Sequence, residues 1–256
     1  MPQTLLTIAG FDPSGGAGVS LDLAVFRFQG FHGAAVISAL TVQNTVGVSC
    51  VRPLEPKFVR SQWRSLAADL PFSGVKTGMA GSAANFRVMT DLLGRMSGRP
   101  RVVDPVFRSS SGVWLFEREA VGDVLRLLRG RASLVTPNLE EAGRLAGFSV
   151  HSPTTMEEAA RMIHDRTGAA CLVKGGHLET SPVDVLFDGE RILSFRKKRL
   201  ARDVHGTGCF LSAAILAFLA GGKTISEACG LASELIAGSI RSAQQPGRGR
   251  FVFGRF

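Results

Sequence analysis

The stretch Thr4-Leu5-Leu6-Thr7-Ile8-Ala9-Gly10-Phe11-Asp12-Pro13-Ser14-Gly15-Gly16-Ala17-Gly18 decides the fold. Its first half is apolar and β-branched and predicts a strand over Thr4–Gly10; the second half is glycine-rich punctuation. Behind the glycines, Ala17–Phe28 carries an amphipathic helical pattern. Strand, glycine turn and helix in that order open a βαβ unit.

Working outward, the same alternation continues. Further strands are predicted at Ala34–Ser38, Gly74–Thr77, Val102–Asp104, Ser133–Thr136, Ala170–Lys174 and Val183–Phe187, with Ile192–Leu200 as an edge candidate. Helices are predicted at Pro56–Leu70, Ala83–Met96, Glu117–Arg129, Leu139–Ala146, Met156–Thr167, Gly208–Leu219 and Ile225–Ser242. Helices between strands imply crossovers, so the expected fold is α/β: doubly wound, with a mainly parallel central sheet and helices on both faces. One domain is expected over residues 1–243, and 244–256 reads as a loose basic tail.

Composition narrows the function classes. Hydrophobic residues at 45% and charged residues at 20% fit a packed domain rather than a disordered chain. No apolar run reaches the roughly 20 residues that span a bilayer, which argues against a membrane protein. The N-terminus lacks a basic secretory region, so a cytoplasmic protein is expected. Cys50, Cys171, Cys209 and Cys229 form no CxxC pair, which argues against a zinc ribbon or disulfide framework. The formal charge of +9 is scattered apart from Arg196-Lys197-Lys198-Arg199 and Arg248, Arg250 and Arg255, so no nucleic-acid partner is expected. A basic surface can instead attract a phosphorylated ligand.

In open parallel sheets, ligands bind beyond the carboxyl ends of the strands. Polar and glycine-rich clusters recur at those ends: Gly10–Gly16, Lys76-Thr77-Gly78-Met79, Asp104-Pro105, Thr136-Pro137-Asn138 and Lys174-Gly175-Gly176-His177. They would line one edge of the sheet.

The sharpest motif is His205-Gly206-Thr207-Gly208-Cys209, placed before an apolar helix. Glycines admit a ligand close to the backbone, and free amides at a helix start bind phosphate. A thiolate at 209, its pKa lowered by the helix terminus, could take a proton from an attacking hydroxyl. The plainer alternative is an ordinary helix start with a buried cysteine. Gly15-Gly16-Ala17-Gly18 is neither GxGxxG nor a P-loop, which disfavours a dehydrogenase. Asp22 complements a helix dipole or accepts a hydrogen bond from a polar substrate. Glu141, three residues after Asn138, closes a capping box or holds Mg²⁺ through water. Asp104 is a loop aspartate or part of a Mg²⁺–phosphate cluster. Lys174 ends an apolar strand and needs an anion, for which phosphate is suited. His177 is a ligand contact or a loop histidine. Gln43-Asn44 is turn chemistry or an amide pair for a heterocycle edge.

Together these segments resemble the hydroxymethylpyrimidine/phosphomethylpyrimidine kinases of thiamin biosynthesis, within the ribokinase-like superfamily. The resemblance runs in order from Ile8-Ala9-Gly10 through Asp184 to His205–Cys209. It implies an ATP- and Mg²⁺-dependent homodimer that phosphorylates a small-molecule pyrimidine alcohol and then its monophosphate. It also implies that Gly10, Asp22, Gln43 and Met79 contact the pyrimidine. His205, Gly206, Thr207 and Gly208 then belong to the phosphate turn, Cys209 is the catalytic cysteine and Lys174 reaches the phosphates. Asp104 and Glu141 lie near the metal. Phe11, Ala24, Asp203-Val204 and Phe210 depart from the family pattern, and Phe210 is expected beside the phosphate turn. Two other readings remain: a pyridoxal or pyridoxine kinase on the same fold, and a ligand-binding regulator of weak catalysis.

Overall fold

A computed structural model describes residues 3–109, 111–176, 178, 182–196 and 202–254. The readings of His177, of Lys197-Lys198-Arg199, of Leu200 as a strand end and of Arg255 lie outside the described residues. In chain order the elements are β1 (Thr4–Phe11), α1 (Gly18–Phe28), β2 (His32–Gln43), β3 (Val48–Pro53), α2 (Pro56–Ala67), β4 (Phe72–Thr77), α3 (Ala83–Arg95) and β5 (Arg101–Val103). A 3₁₀ turn, Arg118–Asp123, leads into α4 (Val124–Leu128). There follow β6 (Leu134–Val135), α5 (Leu139–Ala146), α6 (Pro153–Thr167), β7 (Ala170–Val173), β8 (Val183–Phe187), β9 (Ile192–Arg196), α7 (Thr207–Ala220) and α8 (Ile225–Arg241).

The strands form one sheet in the order β3-β2-β1-β4-β5-β6-β7-β8-β9. From β2 to β7 every neighbouring pair is parallel, and β3, β8 and β9 join antiparallel at the edges. Both faces are covered, as parallel strands require. Val59, Phe86, Leu93, Leu128 and Ile163 of α2 to α6 pack one face. On the other face Val25 and Phe26 of α1 and Ile236 of α8 surround α7, whose residues Phe210 to Ala217 are all buried. A helix enclosed on every side is apolar on every side, which explains the unpatterned run after Cys209.

Three expectations are corrected. Strand β2 continues to Gln43 and pairs with β3, which the sequence did not predict. Beyond Ala39 these strands leave the core, so burial imposes no period-two pattern on them. The helix expected over Glu117–Arg129 is a 3₁₀ turn and a short helix. Gly122 and Asp123, both weak helix formers, fall at the change. The segment from Gln244 to Gly254 is not loose. It pairs Gln244 with Val252 and Val204 with Phe251, because Phe251 and Phe253 are half-buried against the α7 side of the core.

Inside the sheet–helix interface, Lys76 of β4 is fully buried. Its Nζ donates to both oxygens of the equally buried Asp22 on α1, at 2.9 and 2.8 Å, and Thr7 of β1 donates to Asp22 Oδ2 at 2.6 Å. Burial pushes the Asp22 carboxyl up and works against the Lys76 charge, while each partner opposes that effect on the other. For Lys76 the nearby carboxylates, Asp22 foremost and then Asp104, outweigh burial and hold the ammonium charged. The pair joins β1, β4 and α1. Lys76→Met, which strands the carboxylate, is expected to lower unfolding free energy by about 3–5 kcal/mol in urea titration. The double variant Asp22→Asn/Lys76→Met should recover part of that. A loss below about 1 kcal/mol, the scale of an exposed pair, would show that the two charges are not energetically linked.

Candidate active site

The strand ends predicted to form one edge do so, around a cavity of about 620 Å³. Gly10, Gln43, Met79, Asp104, Glu141, Lys174, His205, Gly206, Thr207, Gly208 and Cys209 all line it. Asp22 does not. It stands behind the wall with Lys76, and both carboxylate oxygens are already engaged there, which corrects its reading as a free acceptor for substrate.

The Gly206–Cys209 turn is built by close backbone packing. Gly206, the N-cap of α7, has φ +80°, and a Cβ there would collide with the carbonyl of Gly16. No other residue fits that position without moving the first loop. The first helical bond is Phe210 N–H to Gly206 O at 2.9 Å. The amides of Thr207, Gly208 and Cys209 thus have no acceptor within the helix and carry its positive end toward the cavity.

Lys174 leaves β7 where Asn138 pairs with it, its own amide donating to Pro137 O at 2.8 Å. Its Nζ donates to Asp104 Oδ1 at 2.7 Å. Burial works against its charge, but Asp104 and Glu141 raise its pKa overall. A Cβ on Gly208 would sit 3.2 Å from that Nζ, so the bare backbone lets cation and helix start converge. Thr136 Oγ1 donates weakly to Asp104 Oδ1 at 3.4 Å.

Glu141 closes the capping box of α5: Asn138 N–H donates to its Oε2 at 2.8 Å, and Glu141 N–H donates to Asn138 Oδ1 at 2.8 Å. Both readings of this motif therefore fall on one residue, since Glu141 also faces the cavity. Burial pushes its carboxyl up to about 8, with Lys174 opposing and Asp104 adding. The described residues hold no cluster of three or more His, Cys, Asp or Glu that could bind a metal unaided. Two carboxylates beside a phosphate turn fit a magnesium ion that keeps water and phosphate ligands.

Cys209 is half-buried on the wall. Burial pushes its thiol up to about 11, Lys76 opposing and Asp22 and Asp104 adding. The expectation of a lowered thiol is corrected: loss of solvent and two carboxylates outweigh Lys76 and the backbone hydrogen bond with Gly18. At neutral pH the sulfur keeps its proton.

On the opposite wall, Met79 packs over the bare Cα of Gly10, where a Cβ would meet its methyl end. Ser38 Oγ donates to Met79 O at 2.6 Å, and Asn85 Nδ2 holds Ser38 O at 2.9 Å. Gln43 Nε2 lies 2.8 Å from His205 Nε2, which also lies 3.2 Å from Asp12 Oδ2. Ser14 donates twice to Asp12 Oδ1. Burial raises Asp12, but the hydrogen bonds from His205 and Ser14 prevail and hold it below its usual range. His205 therefore links the pocket side to the phosphate side. Phe11 lines the cavity, whereas Phe210 does not. Phe210 is fully buried with its ring 4.5 Å from Phe253, so this departure belongs to the core and not to the turn.

Sequence reading missed Lys76 and Asp12 as working groups and missed Asp203, Arg108 and Arg250 on the wall. The signal for Lys76 was present: a lysine in the apolar run Gly74-Val75-Lys76-Thr77 has to meet an anion.

Residues 12–253 match the family model for phosphomethylpyrimidine kinase. The chain is 41% identical over 248 residues to the thiamine biosynthesis bifunctional protein ThiED of Geobacter sulfurreducens, covering 96% of this chain and 51% of that one. It thus spans about half the length of that relative. It is 36% identical to a hydroxymethylpyrimidine/phosphomethylpyrimidine kinase of Aquifex aeolicus, covering 95% of this chain and 96% of that one. The structure is similar to pyridoxal kinase from Staphylococcus aureus in complex with AMP-PCP, with TM-score 0.90 and 28% identity over 99% of this chain and 93% of that one. With the family model matching residues 12–253 and a 36% identical relative covered over 96% of its length, this chain belongs to the phosphomethylpyrimidine kinase family.

Proposed function

We propose that this protein moves the γ-phosphoryl group of ATP onto the hydroxymethyl group of 4-amino-5-hydroxymethyl-2-methylpyrimidine, and then phosphorylates the monophosphate product. The observation carrying this reading is the juxtaposition in one cavity of the Gly206–Cys209 helix start, the Lys174–Asp104 pair and the Gly10–Gln43–Met79 wall. The first two suit a phosphoryl group, and the third suits a flat polar heterocycle.

In this reading the amides of Thr207 to Cys209 receive charge that builds on the migrating group, and Lys174 neutralises it further. Asp104, and Glu141 through water, would hold a magnesium ion, which would offset the negative charge of the phosphates. Gln43, oriented by His205, meets the heterocycle edge. Phosphoryl transfer passes through a loose transition state, so positioning the acceptor contributes more than removing its proton early. A protonated thiol is compatible with that: the Cys209 sulfur accepts a hydrogen bond from the hydroxyl and aims its oxygen, and the hydroxyl proton passes late to an oxygen of the transferred phosphoryl group.

Relatives at 36–41% identity named for the thiamin pathway support the pyrimidine over pyridoxal, for which the named neighbour is 28% identical. Among the described residues no helix is long and apolar enough to cross a membrane, and the four cysteines form no disulfide. This supports a cytoplasmic setting. Leu40, Val42 and Val46 expose an apolar stripe on β2 and its turn, which supports a homodimer through that edge.

Side-by-side steady-state rates decide the substrate. ATP consumption should depend on the pyrimidine alcohol, with pyridoxal the poorer acceptor; a preference for pyridoxal would reverse the choice, and binding without turnover would favour a regulator. Cys209→Ala should lower kcat by about 10²-fold with KM little changed, as for a group acting in the transition state. An unaltered kcat would remove Cys209 from the reaction. For Glu141 the folded protein holds a proton up to about pH 8 that an unfolded chain loses near 4.5. Stability relative to Glu141→Gln should therefore fall as pH rises between those values, without metal or nucleotide. A pH-independent difference in urea midpoints would show that Glu141 is ionised throughout.

A further inference from the structure

The segment after α8 makes contacts that no step above uses. Gln244 and Val252 exchange backbone hydrogen bonds at 2.9 and 2.8 Å and close a loop between them. The returning limb lies beside the run that enters the phosphate turn. His205 N–H donates to Phe251 O at 2.8 Å, and Phe251 N–H donates to Asp203 O at 3.2 Å. Arg250 Nε lies 2.9 Å from Asp203 Oδ2. The tip of the loop reaches the β2–β3 turn: Arg250 N–H donates to Thr45 O at 2.9 Å, and Gly249 N–H donates to Thr45 Oγ1 at 3.2 Å.

These two attachment points belong to different elements that meet on the cavity wall, where Gln43 Nε2 lies 2.8 Å from His205 Nε2. Thr45 is two residues from Gln43, on a hairpin end that has left the core and exposes 63% of Val42 and 66% of Val46. Within one chain little packing holds such an end, so hydrogen bonds contribute most of its anchoring there. His205 directly precedes the N-cap glycine of α7. The fit is close enough to exclude side chains: a Cβ on Gly249 would collide with the Thr45 carbonyl, and one on Gly247 would lie 2.6 Å from Thr45 Oγ1. At the far end Phe253 anchors the limb on Phe210, inside α7 itself.

We propose that Gln244–Phe253 is a strap that fixes the distance between the Gln43 hairpin and the Gly206 turn, with Gly249 and Arg250 as positioning residues. It holds the acceptor alcohol, bound from the hairpin side, in line with the phosphoryl group at the helix start. This rests on the roles given above to Gln43 and to the turn. Small displacements of a reacting pair are costly, so a strap that touches neither substrate nor phosphate can govern turnover.

The test uses Gly249→Ala, with Thr45→Val and Thr45→Ser as milder companions, in the full chain. Gly249→Ala is expected to raise KM for the pyrimidine alcohol roughly tenfold and to lower kcat, while the KM for ATP changes little. Thr45→Val should move the same constants in the same direction by less, and Thr45→Ser, which keeps the hydroxyl acceptor, should restore them. Amide hydrogen exchange in Gly249→Ala should quicken over residues 44–48 and 204–205 and stay unchanged in β1 and β4. Unaltered exchange at the hairpin would overturn the strap, as would equal acceleration throughout the sheet, which marks general destabilisation. The exchange measurement needs no substrate. If wild-type protein failed to turn over the pyrimidine, the reading of function would fail while exchange still decided the strap.

Discussion

A lysine ammonium with no exposure must be met by an anion, and in this molecule that requirement ties three elements together. Lys76 extends from β4 into the interface with α1, where Asp22 receives it and Thr7 in turn donates to Asp22. Neither charge reaches the cavity, yet the pair acts there electrostatically. The ammonium works against the high pKa of Cys209, and the carboxylate adds to it. The identity of residues behind the wall thus sets the protonation of a residue on it. Losing one partner would leave the other charge without solvent, which is why the pair behaves as a single unit.

In front of the pair, the site is an assembly of strand ends rather than a motif on one loop. Gly10, Met79, Asp104 and Lys174 arrive from four different strands, and the Gly206–Cys209 turn is brought to them by α7. The parallel order from β2 to β7 puts these ends on one edge, so the topology does the gathering. The remaining specificity is steric. Glycine at 10, 206 and 208 removes the atoms that would keep Met79, the first loop and Lys174 apart.

Much of this was legible in the sequence, for identifiable reasons. Strands buried on both faces read as short apolar runs, so β1, β4, β7 and β8 were found nearly to the residue. Glycine and acidic punctuation at their ends located the cavity. What escaped obeys other rules. Strand β3 has no buried face to impose a pattern, and the strap was judged by its charge although its phenylalanines hold it down. Phe210 looked like an intrusion on the phosphate turn because sequence gives its neighbours and not its direction; its ring turns inward to Phe253. The Cys209 thiol was misjudged by weighing a helix dipole without the desolvation that opposes it. Asp22 was read as half of a substrate contact because its partner lies fifty-four positions away along the chain.

The order of strands also dictates how the molecule can be assembled as it leaves the ribosome. After β4 has crossed to the far side of β1, each later strand adds to the growing edge beside the one made just before it. The sheet can therefore be templated outward without waiting. One of its faces cannot be closed that way, because α7 and α8, which share that side with α1, are made after every strand. Until they emerge, the apolar side of β4 to β6 remains open to unwanted partners, a hazard of the kind that chaperones shield. Covering that face and completing the phosphate turn are then one and the same event.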